Sequence, residues 1–589
     1  MKKIYMKEHG VHPGKDVTLI LSEVFGKYPE DTEFVFEPGD YHLSPKIFCD
    51  YRLSNTDLIP ERRLGMLLKD MKNVRLTGNG SRLLCDGKVI AITIDHSEDV
   101  TIDGFTIDCE KPLVAEGVVV GRGTGIVDLS IDGKLYPHKV EDGKLFFDIG
   151  NGEWSELKPI SQILFDSATK RVRRGTDDRF RLAFTDDLGN GVYRFAVESM
   201  RDTDFVKTGL IPDGGIFVLR HNERDHSGIF VEKSKRVDLR NINVYSCGGL
   251  GVLAQFTEDL TCHAVNFLPN ARAGRLVASG RDDGMHVTNC SGTVTIEECS
   301  FLGLMDDPIN VHSCCCTGVE WVNDYTLRCR YMHPQACAFH YWAEKGDEIA
   351  FIERKHMSRV FADEKFTVKL YTLEGRDTFL LVFDEPVSEE IRSMNPEDIA
   401  VDNLTHTAAF VCRHNRFGSC RARGVLVSVP KPVRIYENYF ESSGSAILVA
   451  GDSNYWFESG CCKDVEIYGN VFTDACLSSM YQFCDGVISV SPVVPEPLAG
   501  LPYHGKINVH DNVFDTPGTP VLSAFSAREV IFRNNRIFAS PSAKKWHPGE
   551  NLVRLDHVEN AVIEDNLKVG EFEISGMSVT DCGEVKGDI

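Results

Sequence analysis

Two pairs of adjacent aspartates are the residues of this sequence best suited to do chemistry. Asp282-Asp283 is followed by GlyMetHis, and Asp306-Asp307, 24 positions later, is followed by ProIleAsnValHis. Carboxylates brought within about 10 Å repel one another, so at least one is expected to keep its proton near neutral pH. A neutral acid can protonate a leaving oxygen while an ionised carboxylate activates water, which is the chemistry of glycoside hydrolysis.

A structural role is the alternative, because AspAsp pairs at the turns of a repeat protein also cap the backbone or bind calcium. The shared spacing favours catalysis, and Asp283, Asp306 and Asp307 are the predicted catalytic residues. Asp306 is the expected general acid, because the charges of its two neighbours would raise its pKa. Asp283 and Asp307 would share the nucleophilic water as base. Asp282, on the other strand face, would be structural and hold a turn or Arg281.

Polar and aromatic residues near these motifs are predicted to bind a sugar. The candidates are Arg281, His286, Asn310, His312, Glu441, Asp452 and Trp456. For each histidine a structural position in a turn is the alternative, and for Trp456 a core position. The triplet Cys314-Cys315-Cys316 lacks the CxxC spacing of zinc sites, so we expect no metal and no cofactor.

A short recurring module must position these residues. The strings ValArgIleTyrGluAsnTyrPhe (433–440) and ValGluIleTyrGlyAsnValPhe (465–472) are nearly the same. Asparagines of this module recur at a base period of about 23 residues, lengthened by loops, at positions 415, 438, 470, 512 and 535. Such a period, built from very short strands, favours a right-handed parallel β-helix over a propeller or a sandwich.

The β-helix determines where the aspartates lie relative to one another. Coils stack about 4.8 Å apart, so pairs one coil apart should lie one above the other. The diagonal between the coils brings an acid and a base into the separation of roughly 6.5–9.5 Å that inversion requires.

Two stretches interrupt the repeat. Residues 118–206 and 318–405 carry longer strand patterns, and the first also has AspGly and AsnGly hairpin turns. Each is long enough for a small antiparallel β-barrel that could wall a groove of the solenoid. The expected all-β fold therefore has a cap and first coils (1–117), central coils with the aspartates (207–317) and C-terminal coils (406–589).

Charge and composition exclude several classes of function. The 589 residues include 64 Lys+Arg and 87 Asp+Glu, a net charge of −23, which argues against nucleic acid, anionic membranes and polyanions such as pectate. No apolar run is long enough to span a membrane, and the N-terminus lacks the apolar core of a signal peptide. The 19 cysteines are expected to be reduced. A cytoplasmic location is favoured, with an exported mature form left open.

The aspartate motifs carry two resemblances, of which the weaker is to polygalacturonases, inverting β-helix hydrolases. Their aspartates occur as AsnThrAspGly and, about one coil later, as AspAsp followed by Asn. ArgAspAspGly and AspAspProIleAsn take those places here, with Asp283, Asp306, Asp307 and Asn310 at the matching positions. The family's AsnThr, GlyHisGly and ArgIleLys are missing, which argues against an acidic sugar.

The closer resemblance is to glycoside hydrolase family 110, the α-1,3-galactosidases that act on blood-group-B and linear α-galactosyl glycans. It rests on ProGlyAspTyr (38–41), AspAspGlyMetHis, AspAspProIleAsnValHis and the two inserts, and covers essentially the whole chain. The resemblance implies an inverting exo-galactosidase on a pectin-lyase-like β-helix, without a metal cofactor. Its partner would be a glycan with terminal α-galactose, and a homodimer is left open.

Two rival functions remain on this fold. A polysaccharide lyase would use Lys or Arg as base and usually Ca²⁺ to neutralise a uronate. A non-catalytic glycan-binding β-helix, like a phage tailspike, would bind an oligosaccharide without releasing a monosaccharide. The two aspartate pairs count against the second rival, because binding alone seldom needs three clustered acids.

Overall fold

The computed structural model describes residues 1–56, 61–176, 180–198, 209–336, 339, 341–358, 364–479, 481–516, 518–540, 549–574 and 576–589. Within these residues, 34 strands form one continuous sheet in which successive coils pair almost entirely in parallel. Two closed antiparallel barrels interrupt it. The predicted all-β fold, a parallel β-helix with two inserted barrels, is confirmed.

The N-terminal part caps the solenoid and forms its first coils. Helix α1, Thr18–Lys27, buries Leu21, Val24 and Phe25 against the end of the core. A 3₁₀ turn at Met6–His9 precedes it. The strands are β1 Lys2–Tyr5, β2 Glu30–Val35, β3 Asp40–Leu43, β4 Ile47–Cys49, β5 Arg62–Lys69, β6 Lys72–Cys85, β7 Ile90–Asp95 and β8 Glu98–Cys109.

The first barrel follows and has its own apolar core, which includes Phe180, Phe195 and Phe217. Its six strands are β9 Ala115–Gly123, β10 Ile126–Ile131, β14 Ser161–Phe165, β15 Phe180–Gly189, β16 Val192–Glu198 and β17 Ile216–Leu219. A separate three-stranded sheet consists of β11 His138–Glu141, β12 Lys144–Gly150 and β13 Glu153–Glu156. The expected end of this insert, residue 206, lies outside the described residues.

The central coils carry both aspartate pairs. Their strands are β18 Ser227–Glu232, β19 Lys235–Val244, β20 Leu250–Gln255, β21 Glu258–Phe267, β22 Met285–Thr288, β23 Ser291–Glu297, β24 Ser300–Phe301 and β25 Ile309–Cys314. A 3₁₀ turn lies at Ala271–Ala273. Cys314, Cys315 and Cys316 at the end of these coils are buried free thiols, as predicted.

The second barrel packs around Trp342, which is fully buried. Its strands are β26 Cys316–Asn323, β27 Thr326–Arg330, β28 Glu348–Glu353, β29 Phe366–Leu373, β30 Thr378–Phe383 and β31 Ile399–Asn403. The short helix α2, Glu389–Arg392, and 3₁₀ turns at Pro334–Ala336 and Pro396–Asp398 lie between them.

The C-terminal coils complete the solenoid. Their first strands are β32 Ala409–Arg413, β33 Arg416–Phe417, β34 Val425–Ser428, β35 Val433–Tyr436, β36 Tyr439–Phe440, β37 Ile447–Val449, β38 Glu458–Ser459, β39 Asp464–Tyr468 and β40 Val471–Phe472. The last are β41 Ile488–Val490, β42 His504–His510, β43 Val513–Thr516, β44 Leu522–Arg533, β45 Arg536–Ala539, β46 Val553–Glu564, β47 Leu567–Val569, β48 Met577–Thr580 and β49 Glu584–Gly587.

The recurring asparagines form a buried ladder along one corner of the coils. The side-chain oxygen of Asn438 accepts hydrogen bonds from the backbone and side-chain nitrogens of Asn415, at 2.9 and 3.0 Å. The same pair of contacts joins Asn438 to Asn470. The ladder continues through Asn512 and Asn535 to Asn566. It gives partners to buried backbone groups where the chain bends, which explains the repeat in the sequence.

Apolar side chains fill the space between the sheet faces. Phe417 and Phe440 stack with ring centroids 4.4 Å apart, and Phe472 and Phe514 continue the row. Among the described residues, none of the helices has the length and apolar character needed to cross a bilayer.

Candidate active site

A cavity that is partly open to solvent lies over the central and C-terminal coils. Its lining combines carboxylates, arginines, amides and aromatic rings. The lining residues are Asn55, Arg224, Asp283, Asp306, Asp307, Asn310, Arg421, Arg423, Leu426, Leu448, Ala450, Gly451, Asp452, Trp456, Glu458, Gln482, Phe483, Ser491 and Val493. The three predicted catalytic aspartates thus meet in one place.

Strand register explains why the two aspartate pairs lie together. Met285 pairs with Ile309, and Ile309 pairs with Val425 in the next coil. Asp283 and Asp307 each stand two residues before one of these partners, so they occupy equivalent positions in successive coils. This is the stacking that the 24-residue spacing predicts.

Gly284 allows the close approach of the two coils at this point. Its amide donates to the carbonyl of Asp307 at 3.0 Å. A Cβ added to Gly284 would lie 2.6 Å from the carbonyl oxygen of Pro308, so any larger residue would push the coils apart. The glycine after the first aspartate pair therefore holds the pairs in register.

Two arginines stabilise the ionised form of Asp306. Nη2 of Arg224 lies 2.7 Å from its Oδ2, and Arg421 pairs with its Oδ1. Burial alone would raise the pKa of Asp306, but the guanidinium groups of Arg421 and Arg224 outweigh it, and the pKa lies below its ordinary value. The expectation that Asp306 has a raised pKa is wrong, because it considered only the neighbouring carboxylates and not these arginines.

Asp283 and Asp307 have the opposite character. Burial and then the charge of Asp306 raise the pKa of Asp283 well above its usual range. Its Oδ2 lies 2.7 Å from Nδ1 of His286, and its Oδ1 lies 3.9 Å from Arg224. Burial raises the pKa of Asp307 to about 7, although the amide and the guanidinium of Arg423 each contact its carboxylate at 2.9 Å. The cavity therefore holds a protonated carboxyl beside an ionised one.

Asp282 faces away from the cavity and organises arginines. It is fully buried and forms ion pairs with Arg220 at 2.8 Å, Arg224 at 3.0 Å and Arg281 at 2.7 Å. Burial would raise its pKa, but these cations outweigh burial and hold the pKa well below the ordinary value. Its contacts agree with the expected structural role.

Three of the predicted sugar-binding residues line the cavity, namely Asn310, Asp452 and Trp456. Oδ1 of Asn310 is buried and has no hydrogen-bond partner among the described residues, so it can accept from a ligand hydroxyl. The carboxylate of Asp452 accepts the backbone amides of Asn454, Tyr455 and Trp456, which shapes the loop that presents the indole. Burial raises the pKa of Asp452.

The other four predicted sugar-binding residues are not among those that line the cavity. Arg281 is buried against Asp282 and donates to the carbonyl of Asn222. Glu441 is held by Arg171 and lies 3.7 Å from Arg416. His286 and His312 are buried behind the wall, so these four residues do not reach a ligand in this cavity.

Several residues of the cavity were not predicted from the sequence. Arg224 follows the first barrel, and Arg421 and Arg423 follow the second. Arg423 stands two residues before Val425, in the same column as Asp283 and Asp307. An alignment of coils with the second insert removed would have found it. Glu458, two residues after Trp456, has no motif in the sequence that would have identified it.

One group of side chains brings metal-ligating atoms close together. Such atoms of His286, His312 and Glu458 lie within 4.8 Å of one another. However, Nε2 of His286 lies 2.9 Å from Nε2 of His312, which is a hydrogen-bond distance. Two nitrogens on one tetrahedral zinc would be ~3.3 Å apart. His286 and His312 are therefore hydrogen-bonded to each other.

Comparison with known proteins gives matches over the inserts and over the whole chain. A model described as GLAA-B beta-barrel domain I matches residues 115–210, and GLAA-B beta-barrel domain II matches 326–395. The chain is 34% identical over 579 residues to alpha-1,3-galactosidase B of Bacteroides thetaiotaomicron, covering 97% of this chain and 91% of that protein. It is 30% identical to alpha-1,3-galactosidase B of Phocaeicola vulgatus, covering 92% of each.

A solved structure to which this chain is similar is the family 28 exopolygalacturonase of Yersinia enterocolitica. The TM-score is 0.44 at 9% identity, over 99% of this chain and 78% of that one. The sequence identity and coverage of the two galactosidases, together with the matched barrels, establish the relationship. The chain belongs to the α-1,3-galactosidase family, glycoside hydrolase family 110.

Proposed function

We propose that this protein is an inverting exo-α-1,3-galactosidase that removes terminal α-1,3-linked galactose from blood-group-B or linear α-galactosyl glycans. The observation that carries the proposal is the pairing, in one cavity, of a carboxyl with a strongly raised pKa, Asp283, and an ionised carboxylate, Asp306. Hydrolysis of a glycosidic bond with inversion needs one group of each kind.

Asp283 is the general acid in this proposal. It retains its proton in the free site and gives it to the glycosidic oxygen as the bond to the anomeric carbon breaks. Asp306 is the base, and ionised Asp307 shares the attacking water with it. The water proton passes to this carboxylate pair while the water oxygen bonds to the anomeric carbon. The sequence-based roles of Asp283 and Asp306 are thus interchanged.

The diagonal arrangement of the acid and the base supports inversion. Asp283 stands two residues before Met285, whereas Asp306 stands three residues before the paired Ile309. The two carboxyls therefore come from adjacent coils and from different positions within the coil. We expect this offset to lengthen their separation beyond the coil spacing of about 4.8 Å, as inversion requires.

The charge of the cavity favours a neutral sugar. Each arginine of the described lining, Arg224, Arg421 and Arg423, forms an ion pair with Asp306 or Asp307. A uronate would need a cation to balance its own carboxylate, so a polygalacturonase or lyase activity is less well supported. Trp456 and Phe483 offer apolar faces to a pyranose ring, and Asn310 offers a hydrogen-bond acceptor.

Release of galactose from defined glycans tests the proposal. The protein is incubated separately with Galα1,3Gal, the branched B trisaccharide and polygalacturonate, and the products are separated and identified. We expect free galactose from at least one of the first two and no product from polygalacturonate. Galacturonate or unsaturated products would support the rival enzymes, and tight binding without any product would support a glycan-binding protein.

A further inference from the structure

Four side chains form a continuous series of contacts that begins and ends at the cavity. Oδ2 of Asp283 lies 2.7 Å from Nδ1 of His286, and Nε2 of His286 lies 2.9 Å from Nε2 of His312. Nε2 of His312 lies 3.7 Å from Oε1 of Glu458. Asp283 and Glu458 both line the cavity, and the two histidines that join them are fully buried. These contacts thus link two cavity carboxyls through the protein interior.

The tautomers follow from the hydrogen-bond partners. Nδ1 of His312 lies 3.1 Å from the carbonyl oxygen of Ser313, which can only accept, so this nitrogen carries a hydrogen. When His312 is neutral, its Nε2 accepts and Nε2 of His286 donates. A neutral His286 must then accept at Nδ1, so the carboxyl of Asp283 donates. This pattern makes Asp283 protonated without reference to its pKa.

A second proton arrangement fits the same four side chains. The proton of Asp283 passes to Nδ1 of His286, and the Nε2 proton of His286 passes to Nε2 of His312, which becomes an imidazolium beside ionised Glu458. One O–H bond is broken at Asp283 and one N–H bond is formed at His312. His286 changes tautomer, the total number of protons is unchanged, and Nε2 of His312 now donates to Nε2 of His286. The charge of Glu458, 3.7 Å from Nε2 of His312, stabilises the imidazolium.

We propose that His286 is a proton relay that shares one proton between Asp283 and His312, with ionised Glu458 as the counter-charge of protonated His312. A ligand hydroxyl that donates to Glu458 weakens the attraction of its charge for the His312 imidazolium and so places the shared proton on Asp283. This inference rests on the proposed function, in which Asp283 is the general acid. The relay therefore couples occupation of the cavity to the protonation of the acid, and the two histidines act through Asp283 without touching the substrate.

The charges around the relay are compatible with this role. Burial lowers the pKa of His286 to about 4, so that ring is neutral. Burial also lowers the pKa of His312, but the charge of Glu458 outweighs it and leaves the pKa raised. The other charged or titratable groups that interact with the four members are Arg224, Asp282, Asp306, Asp307, Cys314, His333 and Asp452. Asn55 and Asn310 donate to Glu458 at 2.9 and 3.3 Å and hold it beside His312.

The tautomer of His286 tests the relay directly. Nuclear magnetic resonance of protein labelled with ¹⁵N in its histidine rings reports which ring nitrogen carries the hydrogen, and His286→Gln identifies the signal. In the wild type we expect a neutral ring whose signal shifts toward the Nε2–H tautomer when galactose is added. In Glu458→Gln the His312 imidazolium has no counter-charge and the proton stays on Asp283, so the His286 ring should be fixed as Nε2–H and galactose should cause no shift.

Three results would overturn the relay: a doubly protonated His286, the same tautomer in the wild type and Glu458→Gln, or a stoichiometric metal by elemental analysis. His263→Gln, which removes a half-buried histidine outside the relay, should leave the His286 signal unchanged. If Glu458→Gln does not fold, Glu458→Asp replaces it and should shift the ring partly toward Nε2–H. If the tautomer responds to position 458 but no α-1,3-galactoside is cleaved, the relay stands and the proposed function fails.

Discussion

Nη2 of Arg224 lies 2.7 Å from Oδ2 of Asp306, and this contact decides how protons are distributed in the cavity. Together with Arg421 it keeps Asp306 ionised, and burial, followed by the charge of Asp306, raises the pKa of both Asp283 and Asp307. Three carboxyls of one residue type thereby acquire different roles from their surroundings.

Replacing the proposed acid should be tolerated when the leaving group needs no proton. Asp283→Asn should lower kcat on a natural glycan by at least ~100-fold with the fold intact, since acid catalysis is lost. An aryl α-galactoside with a good leaving group should recover much of that rate in Asp283→Asn, but not in Asp306→Asn or Asp307→Asn. Steady-state kinetics on both substrates provides the measurement. Recovery at Asp306→Asn would restore the role first expected for Asp306.

Asp307 should give the pH profile an inflection near neutrality. Its pKa is raised to about 7, so it is protonated below that pH and ionised above it. Because the ionised form assists the water, we expect kcat/KM, which reports the free protein, to rise as the pH increases through about 7. Asp307→Asn should lack this inflection at its lower residual rate. A wild-type profile that falls through the same range would contradict the base role.

Arg421 should control the ionisation of Asp306. Arg421→Gln removes one of its two cations, so the pKa of Asp306 should rise and the acidic limb of kcat/KM should move to higher pH. We expect a loss of at least ~10-fold in kcat/KM at neutral pH, in the range typical of a charge lost from a buried pair. Arg416→Gln, which alters an exposed arginine outside the cavity, is the matched control and should change neither quantity. Equal losses in both variants would show a general effect on folding.

The asparagine ladder should contribute to stability and not to chemistry. In Asn512→Ala the buried amide of Asn470 and the carbonyls of Ile467 and His510 lose their partner, which should lower the free energy of unfolding by about 1–3 kcal/mol. Urea denaturation measures the change, and Lys568→Ala at an exposed position is the control. An unchanged midpoint in Asn512→Ala would show that the ladder is not a source of stability.

The sequence predicted the features that local spacing determines. The asparagine period gave the β-helix, and the 24-residue interval placed Asp283 and Asp307 in equivalent positions. The cations were not predicted, because Arg224 and Arg423 reach the cavity only after a barrel has interrupted the repeat, so their distance along the chain hides their register. The pKa of Asp306 depends on those cations, and its sign could not be obtained from the aspartates alone.

The burial of side chains, like the position of the cations, could not be predicted from the motifs. His286 and His312 stand next to the aspartates in sequence, yet strand alternation directs them behind the wall, where they contact Asp283 and Glu458. Arg281 likewise turns to Asp282. Proximity to a catalytic motif therefore identified residues that support the site as well as residues that line it.

The anomer of galactose released first tests the central claim most directly. Proton nuclear magnetic resonance follows the digestion of Galα1,3Gal in real time, before mutarotation mixes the anomers, with Asp283→Asn as the inactive reference. Direct displacement by water at a site with separated acid and base predicts β-galactose as the first product. Initial α-galactose would contradict inversion, and the absence of galactose from both linear and branched substrates would contradict the proposed activity itself.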